Sequence, residues 1–293
     1  MSGGPRALLA AVVMAALLAG CSDAEPSASD APSEVASPEA QRTAARPTVT
    51  SSPTPEPEPF DTWVVGATPL PLRADGFGQV LPTPRELRVR RLRTVDVLPP
   101  PAGDRFESSV RPVTEELVRR TRLAWSPGCP VGFEQLRELR LSFFGFDGRP
   151  HTGQLVVNAD VADEVVEVFR SLHRARFPIE EMRLVTQADL DAPPTGDGNN
   201  TAAYACRPAV GQTSWSAHAY GLAVDLNQFM NPYTKGDLVL PELASAYLDR
   251  EWRRPGMILP GGPVLKAFDR VGWTWGGTFS SVSDLHHFSA NGR

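Results

Sequence analysis

Leu139–Phe146 (LRLSFFGF), the pair Asp147-Gly148, Gln154–Asn158 (QLVVN) and the run Ala162–Leu172 (ADEVVEVFRSL) form the stretch whose patterning decides the fold. The first piece is a short apolar run rich in Leu and Phe, the Asp-Gly pair is a turn signal, and the Val-rich third piece reads as the returning strand of a hairpin. Ala162, Val165, Val166, Phe169 and Leu172 then recur at helical spacing. Asn158 or Asp160 can cap that helix and Pro178 stops it, so an amphipathic helix lies against a sheet. Upstream, Glu115–Trp125 reads as a further helix. Downstream, Arg183-Leu184-Val185 reads as a strand, Ala188–Asn200 as a polar loop, and Gly221–Leu226 as a buried strand carrying one acid, Asp225. Helices and strands mix without strict βαβ alternation, which predicts an α+β fold with a small, mainly antiparallel sheet and packed helices.

Outside this core the composition changes. The chain has 293 residues, 29 of them Pro and crowded toward the first third. At the N-terminus Arg6 is followed by the apolar run Ala7–Leu18 and by Ala19-Gly20-Cys21, the layout of an export signal over residues 1–20. Leu18-Ala19-Gly20-Cys21 resembles a lipoprotein lipobox, in which Cys21 carries the lipid; an ordinary secretory signal with a coincidental Cys is the alternative. The lipobox reading places the protein outside the cytoplasm, anchored to the bacterial membrane and facing the cell wall. Residues 21–59 are Ser, Pro, Ala, Thr and Glu with hardly a large apolar side chain, as expected of a tether without a core. At about 3.1 Å per residue such a tether reaches on the order of 100 Å. Residues 60–114 read as an N-terminal extension packed on the main domain, with its basic run Arg88–Arg93 as a solvated face. In an oxidising compartment Cys129 and Cys206 are expected to form a disulfide. A metal-ligand or nucleophile role is the competing reading, but neither lies in a C-x-x-C motif or beside a recognisable base. The net charge of -5, with both signs interspersed, offers no polybasic stripe and excludes nucleic acid as a partner.

Of five histidines, three fall in two short C-terminal segments with acids: Ser216–Asp225 (SAHAYGLAVD) and Asp284–Phe288 (DLHHF). A catalytic zinc site uses three nitrogen, sulfur or carboxylate ligands and an open position, which His218, Asp225 and one later His supply. Gly221 allows a sharp turn between His218 and Asp225. An acid inside an apolar strand also demands a partner. From these ten residues alone, a buried salt bridge at Asp225 with His218 as a loop hydrogen-bonder fits equally well.

Ser216-x-His218-x-x-Gly221-x-Ala223-x-Asp225, then Asn231-Pro232-Tyr233, Gly272-Trp273-x-Trp275-Gly276-Gly277 and Asp284-x-x-His287-Phe288, resembles the M15 family of bacterial metallopeptidases over about Leu139 to Ser289. The family comprises D-Ala-D-Ala carboxypeptidases, D-Ala-D-Ala dipeptidases and L-Ala-D-Glu endopeptidases. The likeness is greatest to the subgroup with Asp in the last motif. It implies an M15-type fold for residues 115–293, one Zn2+ on His218, Asp225 and His287, and Asp284 as catalytic base. His286 becomes a rim residue. Arg207 takes the place of the family's substrate-side arginine, with Arg183 as runner-up, and Ser216, Trp273 and Trp275 are substrate-side candidates. The two tryptophans read equally as core and turn residues. His151 and His173 read as surface or structural. The implied activity is hydrolysis of peptidoglycan stem peptides by a monomer. A non-catalytic cell-wall binding module is the alternative, and a serine hydrolase built on Ser216 lacks the G-x-S-x-G elbow.

Overall fold

The computed structural model describes residues 63–293. The export signal, Cys21 and the tether through residue 59 lie outside the described residues. Strands β1 (Ser108–Pro112), β2 (Leu136–Phe144) and β3 (Pro150–Asn158) form an antiparallel sheet in that order. The expected hairpin is therefore present and longer than its apolar pieces, with Leu139 opposite Leu155 across the Asp147-Gly148 turn. Side chains alternate across the sheet. Leu139, Leu141, Phe143, Leu155 and Val157 enter the main core, while Leu136 and Val156 enter a second cluster with Val113, Leu117 and Tyr204 on the other face.

Helix α1 (Glu115–Thr121) starts where Thr114 Oγ1 accepts from Leu117 N. It stops short of the expected Trp125 because Arg122 turns left-handed (φ 54°), and Ala124 N donates instead to Val185 O. Helix α2 (Ala162–Arg174) follows a single turn capped by Asn158 and lays Val165, Phe169 and Leu172 on the sheet. Each such side chain, fully buried, contributes about 1.5–3 kcal/mol. Left-handed Arg176, ahead of Pro178, turns the chain out of the helix.

The strand expected at 183–185 is displaced. β4 (Glu181–Met182) pairs in parallel with β5 (Asn200–Thr201), and the intervening polar stretch holds α3 (Gln187–Asp191), capped by Thr186. The remaining elements are β6 (Ala223–Asp225), β7 (Tyr233–Lys235), β8 (Leu238–Leu240), α4 (Pro263–Arg270), β9 (Thr274–Trp275), β10 (Ser283–Asp284) and β11 (His287–Ser289). They form two small antiparallel sheets in the orders β6-β11-β9 and β10-β7-β8. The fold is α+β, with small, mainly antiparallel sheets and few helices. No helix among the described residues is long and apolar enough to cross a membrane.

Residues 63–114 are tied into this body, with β1 an edge strand of the first sheet. Trp63 Nε1 donates to Asp197 Oδ2 (3.0 Å) and Thr83 Oγ1 to Leu243 O (2.6 Å). The basic run is only partly solvated. Arg90 is 2% exposed and clamps Glu180 through Nε (2.7 Å) and Nη2 (2.6 Å), while its Nη1 donates to Asp197 O. Cys129 and Cys206 form the expected disulfide. His151 and His173 are structural rather than superficial. His151 is buried with a ring nitrogen against Asp96 and the other against Asp147 (2.8 and 3.1 Å). His173 packs on Phe106 and Phe144, and burial holds its pKa below the usual histidine value.

Candidate metal centre

The site begins with a cap. Ser216 Oγ accepts from His218 N and starts the single turn Ala217–Tyr220, which ends at left-handed Gly221 (φ 69°). A Cβ at Gly221 would lie 2.5 Å from Asn158 N, the same amide that donates to Gly221 O, so β3 leaves room only for glycine. The chain then enters β6 and delivers Asp225 directly opposite His287 of β11. Opposed residues of an antiparallel pair share a face, with Cβ atoms about 4.5–5.5 Å apart. His218, from the turn, completes the group.

Asp225 Oδ1 lies 3.1 Å from His218 Nε2 and 3.0 Å from His287 Nδ1, and the two nitrogens are 3.2 Å apart. All three residues are buried, and their ligand atoms alone among the described His, Cys, Asp and Glu residues converge as a metal-binding group would. The remaining ring nitrogens fix the tautomers. His218 Nδ1 faces Ala203 O, and His287 Nε2 faces Arg293 O at 2.8 Å. Each carbonyl takes an N–H, so His218 Nε2 and His287 Nδ1 are left to point lone pairs at each other and at a carboxylate oxygen. Two lone pairs and an anion repel unless a cation or proton sits among them. An N2O donor set held by carbonyls behind the rings fits a borderline divalent metal such as zinc.

In the metal-free protein a proton takes that place. Burial pulls the His287 pKa down, but the Asp225 hydrogen bond and charge, the Asp284 charge and the Arg293 carbonyl outweigh it and raise it to about 9. Burial pushes Asp225 up, yet the His218 and His286 charges and the hydrogen bonds with His218 and His287 hold it well below the usual carboxylate range. A raised histidine stabilises the fold fully below its unfolded pKa of about 6.5, and that contribution is lost as pH rises through the folded value of about 9. A metal on His287 Nδ1 must expel this proton. Titrating metal-free protein with Zn2+ at pH 7 is therefore expected to release about one proton per ion, and almost none at pH 10. Calorimetry in two buffers of different ionisation enthalpy measures it.

Around the three converging side chains, Gln228 Nε2 donates to the second oxygen of Asp225 (3.1 Å). Asp284 in β10 is not one of the converging group. Its Oδ1 is buried without a hydrogen bond, 3.1 Å from His286 Nε2 but off hydrogen-bonding alignment. His286 is not on a rim: it is 7% exposed, its Nδ1 donates to Asn231 O (2.7 Å), and its Nε2 lies 3.6 Å from Asp225 Oδ2.

Arg207 follows disulfide-bonded Cys206, and its backbone oxygen accepts from Ser216 N, placing it at the base of the short ladder that leads to His218. The residue is partly buried, and its guanidinium donates to Pro208 O in an exposed hydrogen bond. Arg183 is engaged elsewhere, with Glu181 (2.6 Å) and Asp189 (2.8 Å). Trp273 does not wall a cleft; it is 4% exposed, packs on Phe268 and donates to Glu164 (2.7 Å), because α2 and α4 close over it. Trp275 is partly buried and donates to Leu285 O, bracing the segment between Asp284 and His287. Two further residues border the site, Gln228 and Tyr233; only Tyr233 has a signal in the sequence, the Asn231-Pro232-Tyr233 motif.

Residues 210–290 match the model of an M15 peptidase family described as D-alanyl-D-alanine carboxypeptidase. No curated protein and no solved structure gave a match. The matched segment covers a minority of the chain but contains His218, Asp225, Asp284 and His287. The segment similar to this peptidase family is thus the one in which the three candidate ligands converge.

Proposed function

We propose that this protein is a zinc peptidase that hydrolyses a peptide bond in peptidoglycan stem peptides, as a D-Ala-D-Ala carboxypeptidase or an L-Ala-D-Glu endopeptidase. The observation that carries the reading is the convergence of His218 Nε2, Asp225 Oδ1 and His287 Nδ1 inside the segment that matches a peptidase family. Those residues hold the metal. When bound, zinc supplies Lewis acidity to the scissile carbonyl and to the attacking water. Asp284 accepts the water proton and passes it to the departing amine. Its buried Oδ1, unclaimed by any hydrogen bond, is free for that exchange. Arg207 steadies a substrate carboxylate or carbonyl, since a guanidinium stays charged and donates two parallel hydrogen bonds. Ser216 sets the turn that carries His218, and Trp275 frames the Asp284 side. The enzyme works as a monomer outside the cytoplasm, held to the membrane by lipid on Cys21 and reaching the cell wall on its tether.

Purified muropeptides incubated with zinc-loaded protein are expected to yield shortened stems, identified by mass, with one zinc per chain measured on the same preparation. Metal-loaded protein that leaves muropeptides unchanged would overturn the proposal.

A further inference from the structure

A peptidase site needs acceptors for the water proton and donors for the carbonyl oxygen, on which negative charge builds as the bond breaks. Around the three converging side chains the acceptors are plain, and several of the nearby donors are already engaged. Gln228 donates to Asp225, Trp275 to Leu285 O and His286 Nδ1 to Asn231 O, while Arg207 gives one of its N–H groups to Pro208 O and keeps the rest.

Tyr233 is a donor with no partner. In β7 it stands directly opposite Asp284 in β10, so the two side chains share one face. Asp284 reaches from that face toward His286, which in turn borders Asp225. Only 8% of Tyr233 is exposed, yet its hydroxyl, which makes no hydrogen bond among the described residues, is not sealed in like that of Tyr204. It makes no bond to Asp284 either, so it is not the carboxylate's holder. A phenol ring fixed by packing, with its one polar atom unpaired and reachable by solvent beside the proposed base, is a donor awaiting a ligand. Burial, with the Asp284 charge, lifts its pKa above the usual phenol value, which keeps the hydroxyl protonated at neutral and mildly alkaline pH.

We propose that Tyr233 is a catalytic residue whose hydroxyl donates a hydrogen bond to the oxygen of the scissile carbonyl. The inference rests on the peptidase reading and adds to it a second, neutral charge-stabilising donor beside that of Arg207. No proton leaves the phenol; the bond only shortens as the oxygen gains charge.

The test is Tyr233→Phe in the full chain, zinc-loaded, on a synthetic stem pentapeptide ending in D-Ala-D-Ala. Loss of one such donor costs about 10²-fold in kcat. KM is expected to stay within about threefold, because the interaction belongs to the transition state. Zinc content and Tm are measured alongside, since a packing role would move them. A second readout avoids turnover. A phosphinate analogue of D-Ala-D-Ala, which mimics the tetrahedral carbon, is expected to bind the variant about 10²-fold more weakly, while pentapeptide affinity for the metal-free protein stays the same. Turnover within about threefold of the parent, or unchanged phosphinate affinity, overturns the assignment. If the parent binds zinc and still cleaves nothing, the peptidase reading falls first and this inference falls with it.

Discussion

Replacing Arg90 by methionine is expected to destabilise the folded protein by about 3–5 kcal/mol. Its guanidinium is fully buried, forks onto both oxygens of Glu180, donates to Asp197 O and lies 4.5 Å above the Phe229 ring. Glu180, once alone, keeps only the Asn199 amide at 3.0 Å. A buried carboxylate with one neutral donor is the costly product; the lost pair itself is worth little, because both ions were desolvated to make it. The double variant Arg90→Met with Glu180→Met is therefore expected to recover much of the loss. Urea midpoints at equal slope separate the two outcomes. A single variant within 1 kcal/mol of the parent would show that Glu180 neutralises or finds water at no great cost.

Asp284→Asn is expected to lower kcat by 10²- to 10⁴-fold while leaving one zinc per chain. Asn keeps the shape and the carbonyl oxygen that faces His286 but cannot accept a proton from water. Asp284 also stands outside the three converging ligand residues, so metal affinity has no reason to fall. A variant that lost zinc would make Asp284 a ligand, and one that kept its turnover would remove it from the mechanism. A module that only binds the cell wall would show no functional loss.

These expectations rest on features of very different legibility. The β2–β3 hairpin and α2 could be read because their apolar residues recur over nine to thirteen positions, long enough for periods of 2 and 3.6 to separate. The three positions that converge as candidate ligands could be read because a turn glycine and two spaced motifs are written locally. Strands of two or three residues, such as β4, β5 and β10, carry too little pattern to be seen, and long-range pairing alone defines them. For the same reason β1 cannot be told apart from the extension that contains it, and Arg90 reads as one more surface charge because its partner lies 90 residues away. Trp273 and Trp275 sit two residues apart beside glycines, and nothing in that spacing tells which is closed over by α2 and α4. Tyr233 acquired meaning only when the ladder set it across from Asp284.

The pairing of Asp225 with His287 bears on how insertions and deletions can accumulate in this chain. β6 and β11 are also locked by Phe288, which is fully buried and stacked 3.8 Å from Phe268. A shift of one residue would turn Phe288 outward and exchange His287 for a neighbour. Length changes inside Asp284–His287 or His218–Asp225 therefore break the site. The exposed Ser280-Ser281 pair between β9 and β10 can absorb them. The candidate metal centre is thus defined by two short residue counts, while the connecting loops remain free to change length.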